Sequence, residues 1–368
     1  MRIYRSAIAI CAIGALTLFA ATAASANELK VDDDGAQCPN ATFTSIQAAV
    51  TAASPGDKIQ VCAGTYSEQV HIQNKDDLKL EGKGDPTIKA PITPQTSPRA
   101  IVHIDGSDGV SLKGFVVSGP WNEPGCSDDR HYGVFVDNSF DAKISHNHVT
   151  LVRDAIPALW GCQDGIAIEV GRSLLTSSGS ARIDHNLVDL YQKGGVLVDG
   201  TGSDADIDHN EIVGDPGPTG VGIITAQNGI QISRGAGGQV DHNEVYNNQY
   251  SGPAPTGGTG ILLFQAGTGL LTVDHNSVHD NDDGISLSDS DGEKIAHNES
   301  LNQRKYDGLF ADSDSTGNTF QENKAFGNVE HDCHDDSVGS GTAGTANTWK
   351  GNKGNTQNRP GLCKPKDG

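Results

Sequence analysis

Aromatic side chains are scarce in this sequence, 5 % of 368 residues, and methionine occurs once. A core built from large rings or flexible thioethers is therefore not available. Long apolar runs are also missing. The only one, Ala7 to Ala21, is shorter than the roughly 20 residues that a membrane helix needs. Positive charge is in short supply, with 26 Lys and Arg against 47 Asp and Glu for a net of −21. That balance argues against a nucleic-acid partner, whose phosphates are held by Lys and Arg. It weighs against a polyanionic polysaccharide as well, unless a basic groove or a bound cation reverses the field locally.

The single apolar run sits between Arg2 and Arg5 on one side and Ala24-Ser25-Ala26 on the other. This is the charged, apolar, small-residue order of a cleavable secretion signal. Residues 1–26 are expected to be removed, which takes away two Arg and leaves a mature chain of net −23 without a membrane span. The expected location is extracellular. Six Cys remain, Cys38, Cys62, Cys126, Cys162, Cys333 and Cys363. An even count in an exported chain reads as disulfides, and of fifteen connectivities the grouping into three separated pairs favours 38–62, 126–162 and 333–363. A metal site made of Cys333, His331 and His334 is the competing reading of the last group.

What the chain has in abundance is repetition. Ile144-Ser-His-Asn147, Ile183-Asp-His-Asn186, Ile207-Asp-His-Asn210, Val240-Asp-His-Asn243, Val273-Asp-His-Asn276 and Ile295-Ala-His-Asn298 share one pattern, with a weaker copy at Phe320-Gln-Glu-Asn323. The Asn-to-Asn spacings are 39, 24, 33, 33, 22 and 25 residues, so the shortest repeat is one small unit and the longer ones carry insertions. An apolar residue recurs five positions after each first aliphatic, as in Ile183 to Val188. Positions five apart cannot face one side of a straight strand, so the chain must turn a corner at His-Asn. A second apolar segment, such as Gly195-Val-Leu-Val198 or Gly229-Ile-Gln-Ile232, recurs between corners, and the i, i+2 aliphatics are expected to point inward.

Short β-branched strands, corners and a fixed period describe a single-domain, all-β coil of parallel strands stacked about 4.8 Å apart. Residues 27–70 form the cap and first rung, 71–355 the coil, and 356–368 a tail tied by a disulfide. The recurring Asn is expected to build a buried amide ladder. Asp184, Asp208, Asp241 and Asp274 should stack in an outward column, with His185, His209, His242 and His275 donating hydrogen bonds that relieve their repulsion. The chain resembles the pectate-lyase-like superfamily of right-handed parallel β-helix proteins over roughly residues 41–355. The resemblance includes Phe43-Thr-Ser-Ile-Gln-Ala-Ala-Val50, Pro55-Gly-Asp57 and Cys62-Ala-Gly-Thr-Tyr66. It implies a short N-terminal helix plugging the first rung, and Thr44 or Ser45 reads as its N-cap, with Ile46, Ala49, Val50 and Ala53 on one face. It does not imply one activity, because neither a Gly-His-Gly tract with paired Asp nor an Asp-Pro-His motif is present.

A feature repeated on every rung of a solenoid is structural, whereas an active site interrupts the repeat. The interruption between Gly119 and Arg172 carries two extra loops, apparently joined through Cys126 and Cys162. Two insertions, Gly214 to Gln227 and Tyr250 to Gly258, extend the same region. The candidates are His131, Arg153, Asp164 and Lys193 for catalysis, Trp121, Tyr132, Trp160 and Arg130 for sugar binding, and Asp128 and Asp129 for calcium. In a β-elimination Arg153 would neutralise a uronate, and His131 or Lys193 would remove the C5 proton. Hydrolysis by a pair drawn from Asp129, Asp154 and Asp164 is the variant. The alternative is a non-catalytic, monomeric extracellular protein that binds glycans along its flat faces, and no cofactor beyond calcium is expected.

Overall fold

The computed structural model describes residues 26–93, 96–122, 125–126, 130–216, 219–269 and 271–365. Most of the expected export segment, together with Asp128 and Asp129, lies outside these residues. The described chain winds into three parallel sheets of twelve, ten and ten strands, and each strand pairs with its counterpart one turn of the coil earlier and later. A rung therefore contributes one strand to each sheet. Gly237–Asp241, Glu244–Tyr246 and Thr259–Phe264 form one such turn.

Register follows from the pattern. Ile144, Ile183, Ile207, Val240, Val273, Ile295, Phe320 and Trp349 are successive partners in the first sheet and stack inside the coil. In the third sheet the inward pairs Val134/Val136, Ile168/Val170, Val196/Val198 and Ile230/Ile232 are all buried. The narrow bore suits branched aliphatics, which explains the scarcity of rings. At the open N-terminal end a helix, Ile46–Ala52, buries Ile46, Ala49 and Val50. Ser45 is its N-cap, and Glu68 accepts from the amides of Ile46 and Gln47 at 2.8 Å each, satisfying donors that the first turn leaves open.

The corners are built as the repeat implies. His146, His185, His209, His242, His275 and His297 all have φ near 54°, the left-handed conformation that turns the chain. Each following Asn points inward. Nδ2 of Asn186, Asn210, Asn243, Asn276 and Asn298 donates to the next Oδ1 at 3.0 Å, and the ladder continues through Asn323 to Asn352. Asn352 carries no His-Asn signature, and only the three-dimensional register places it there. The imidazoles stack outside with centroids about 5 Å apart, and Nδ1 of His185, His242 and His275 lies 2.7–3.0 Å from the preceding Asp. These columns thus hydrogen-bond one another on a solvated face.

Gly195 and Gly229, at the start of their third-sheet strands, are required by close approach of the next rung. A Cβ on Gly195 would stand 2.5 Å from the carbonyl oxygen of Gly229, and one on Gly229 2.7 Å from that of Gly260. The disulfides pair as 38–62, 126–162 and 333–363, so Cys333 is not a metal ligand.

Candidate functional site

On the outer face of the third sheet the repeat breaks. Phe135, Glu169, Leu197 and Gln231 are successive partners on that face, and beside them run Tyr132, Ile166, Gly194 and Asn228. Tyr132, Phe135, Ile166 and Leu197 form a separate apolar cluster outside the coil. This floor sits under a ring of charge. Arg130 Nη1 donates to Glu169 Oε1 at 2.9 Å, Arg172 Nη1 to the Tyr132 hydroxyl at 2.8 Å, and Arg234 Nη1 to Asp199 Oδ1 at 2.9 Å. Lys193 Nζ donates to the Ala226 carbonyl at 2.6 Å. The cleft between Arg130, Gln163, Lys193, Gln231 and Arg234 encloses about 230 Å³. A comparable hollow on the first sheet, between Asp141, Arg182 and Asp206, holds only side chains of the regular columns.

The electrostatics follow from burial. Glu169 has no exposed surface, and its carboxyl is pushed up to about 7 by desolvation, with Arg130 opposing. Its Oε2 has no hydrogen-bond partner among the described residues. Burial and the neighbouring Arg130 lower the Lys193 ammonium to about 8. Burial also pushes Asp199 up, but hydrogen bonds from Arg234, Ser173 and Ser233 outweigh it and hold the carboxyl below its usual range. Asp164, next to Asp154, is raised to about 6, by burial first and by Asp154 second.

A titration test follows. The folded chain holds the Glu169 proton more tightly than the ordinary 4.5 of an unfolded one. The stability attached to it is fully present below about pH 4.5 and is lost as pH climbs towards about 7. Glu169→Gln cannot titrate. The stability of wild type minus that of the variant, from urea unfolding, is expected to fall between pH 5 and 7 and to level off above about 8. A difference constant with pH would show that Glu169 titrates as it does in water.

The sequence-derived candidates divide. Arg130 and Lys193 meet in the cleft. Tyr132, expected as an exposed sugar platform, instead has no exposed surface, because its ring stacks on Phe135 at 4.5 Å as part of the floor. Trp121 is likewise corrected. Its amide is bonded to the Arg153 carbonyl in a bridge that prolongs the pairing of Val116–Ser118 with His148–Thr150, and the fully buried ring covers His131 at 5.7 Å. His131, 1 % exposed and lowered to about 4 by burial and then Arg99, forms an interior group with Asp154 and Asp164 beneath that ring. It does not open on the cleft.

Arg153 is a strut. Its guanidinium binds Asp215 at 2.5 Å and lies 4.9 Å over half-buried Trp160, and neither side chain lines the cleft. Glu169, Arg172 and Asp199 were not among the candidates. Their signal was parity, since each strand's outward positions can be read from the repeat, and Glu169 is an acid at an outward position flanked by apolar rungs.

A family model described as "Right handed beta helix region" matches residues 174–354. No curated protein matches the chain. Among solved structures, an alginate lyase from Paenibacillus sp. str. FPU-7 is 12 % identical with a TM-score of 0.53, over 81 % of this chain and 94 % of that one. A pectate lyase is 12 % identical with a TM-score of 0.52, over 89 % and 80 %. At such identities the likeness is one of fold, and it agrees with the three parallel sheets. The chain has the right-handed parallel β-helix fold that this model describes over residues 174–354 and that these structures share.

Proposed function

We propose that the protein is an exported polysaccharide lyase that cleaves a uronate-containing glycan by β-elimination in the cleft of the third sheet. One observation carries this reading. In a chain of net −21, Arg130, Lys193 and Arg234 line one cleft over an apolar floor that includes Ile166 and Leu197. That is the basic groove a polyanionic substrate needs on an acidic protein. The fold is shared with an alginate lyase and a pectate lyase, which is consistent with the proposal. Three disulfides fit an oxidising compartment, and no described helix is long and apolar enough to cross a membrane.

In this mechanism Arg130 and Arg234 face the substrate carboxylate and stabilise the negative charge that grows on it. The Lys193 amine, neutral in a useful fraction because its pKa is about 8, takes the C5 proton. The electron pair left at C5 forms the C4–C5 double bond, the C4–O bond breaks, and the Lys193 ammonium returns the proton to the departing oxygen. Ile166 and Leu197, which line the cleft, supply the apolar surface on which a sugar face rests. Asp128 and Asp129 are kept as the candidates for a supporting calcium ion.

The test is a panel of polyuronates and neutral polysaccharides, with and without calcium, followed by the absorbance of the unsaturated product and by reducing ends. The expected result is unsaturated product from a polyuronate alone. Reducing ends without that absorbance would indicate hydrolysis, and glycan binding without any product would indicate the non-catalytic alternative. Either outcome sinks the lyase.

A further inference from the structure

Several groups of His and carboxylate converge among the described residues, and those around His185 and His275 belong to the regular columns. In the ladder around His185 the rings lie within 8° of parallel, so their lone pairs run side by side rather than towards one point. The last rung of the third sheet is different. Asp307, in the turn before Leu309–Ala311, directs both carboxylate oxygens at imidazoles of the following rung. Its Oδ1 lies 3.2 Å from His331 Nδ1 and its Oδ2 2.8 Å from His334 Nδ1. The two rings cross at 69° with centroids 4.8 Å apart. Asp307 is 4 % exposed, whereas both imidazoles reach solvent. On the far side of the His334 ring, Nε2 lies 3.0 Å from Asp336 Oδ1.

The geometry points to a divalent transition-metal site of the zinc type formed by Asp307, His331 and His334. Two imidazoles and one carboxylate are a ligand set that such ions take, with bonds of about 2.0–2.2 Å. Two donors on one tetrahedral ion stand about 3.3 Å apart, and one ligand atom from each of these three residues already lies within 4.8 Å of the others, so a small inward movement closes the set. Asp336 has the position of the outer carboxylate that fixes the tautomer of a metal-bound His and raises its basicity. Three protein ligands leave a fourth place on the solvent side for water.

His334 meets a carboxylate at each ring nitrogen, so an ion taken up at its Nδ1 displaces the proton held there. The site bridges two rungs, and Cys333, between the two His, is already tied to Cys363. A bound ion therefore clips the last turns of the coil at a second point. This inference does not depend on the lyase reading, and it concerns rungs beyond the cleft.

Chelator-stripped protein is titrated with Zn²⁺ by calorimetry and with Co²⁺ by visible absorption. The expected result is one equivalent per chain, proton release in two buffers of different ionisation enthalpy, and intense Co²⁺ bands of low coordination number. His331→Ala and His334→Ala should each weaken Zn²⁺ at least about 100-fold, and Asp336→Asn about 10- to 100-fold. His275→Ala, in the ladder, should leave the affinity unchanged. Zn²⁺ should also raise the thermal midpoint of the wild type, since it binds only the folded chain. The site is overturned if stripped wild type takes up no stoichiometric Zn²⁺, or if the two His variants bind within twofold of wild type. Should those variants fail to fold, the exposed change Asp336→Asn decides, and an unchanged affinity there counts against the site.

Discussion

Lys193→Ala is expected to lower kcat on a polyuronate by about 10²- to 10⁴-fold while KM moves by less than about threefold. The loss corresponds to about 3–5 kcal/mol of transition-state stabilisation at 1.36 kcal/mol per tenfold. The asymmetry follows from the placement. Arg130 and Arg234 meet the substrate charge in the ground state and remain in the variant, whereas the Lys193 amine acts only as the C5 proton leaves. A base with a pKa of about 8 also sets the pH profile. Below it the neutral fraction rises tenfold per unit, so log kcat/KM should climb with unit slope and flatten above about pH 8. Arg153→Ala is the contrasting variant. Its guanidinium is bound to Asp215 and covers Trp160, so kcat should stay within about threefold while the insertion loosens. A large kcat loss in Arg153→Ala with little in Lys193→Ala would move the chemistry from the cleft to the insertion. Melting curves followed by circular dichroism separate either effect from unfolding.

The coil was legible in the sequence because its determinants are local and repeated. An aliphatic, a left-handed His and an inward Asn follow one another within four residues, and each copy confirms the others. The candidate site was legible only in part because it is assembled across the coil. Arg130, Glu169, Lys193, Asp199 and Arg234 come from four rungs and touch only because their strands stack in register. The interruption between Cys126 and Cys162 singled out Arg130, which lines the cleft, as well as Trp121 and Arg153, which do not, because the chain at Trp121 prolongs an existing strand pairing and buries its large side chain. Residue type could not distinguish that outcome from an exposed platform. The parity of Ile166–Val170 could have, since it assigns Glu169 outward at a place where both neighbouring rungs are apolar.

The same logic ranks the repeat's own residues, and against their prominence. Asn243→Ala is expected to cost about 4 kcal/mol or more, whereas His242→Gly should cost less than about 1. The Asn243 amide donates to Ile207 O at 2.8 Å, Asp241 O at 3.1 Å and Asn276 Oδ1 at 3.0 Å, and its Oδ1 accepts from the amide and the side chain of Asn210 at 3.0 Å each. All of this happens at 2 % exposure. Removing the side chain orphans groups on three rungs, and each buried polar atom left without a partner costs about 1–3 kcal/mol. For a fold whose whole stability is about 5–15 kcal/mol, that is a large share.

His242 has the opposite balance, with its side chain half exposed and its contribution limited to ring stacking and a screened pair with Asp241. Glycine keeps the left-handed φ of 55° without strain. Because each rung touches only its neighbours, the Asn243 break should also divide the unfolding transition. The urea curve is then expected to be broader than that of wild type, with two midpoints resolved by probes on either side of the break. A greater loss in His242→Gly than in Asn243→Ala would mean that the outer imidazole stack, and not the inner amide ladder, holds the rungs together.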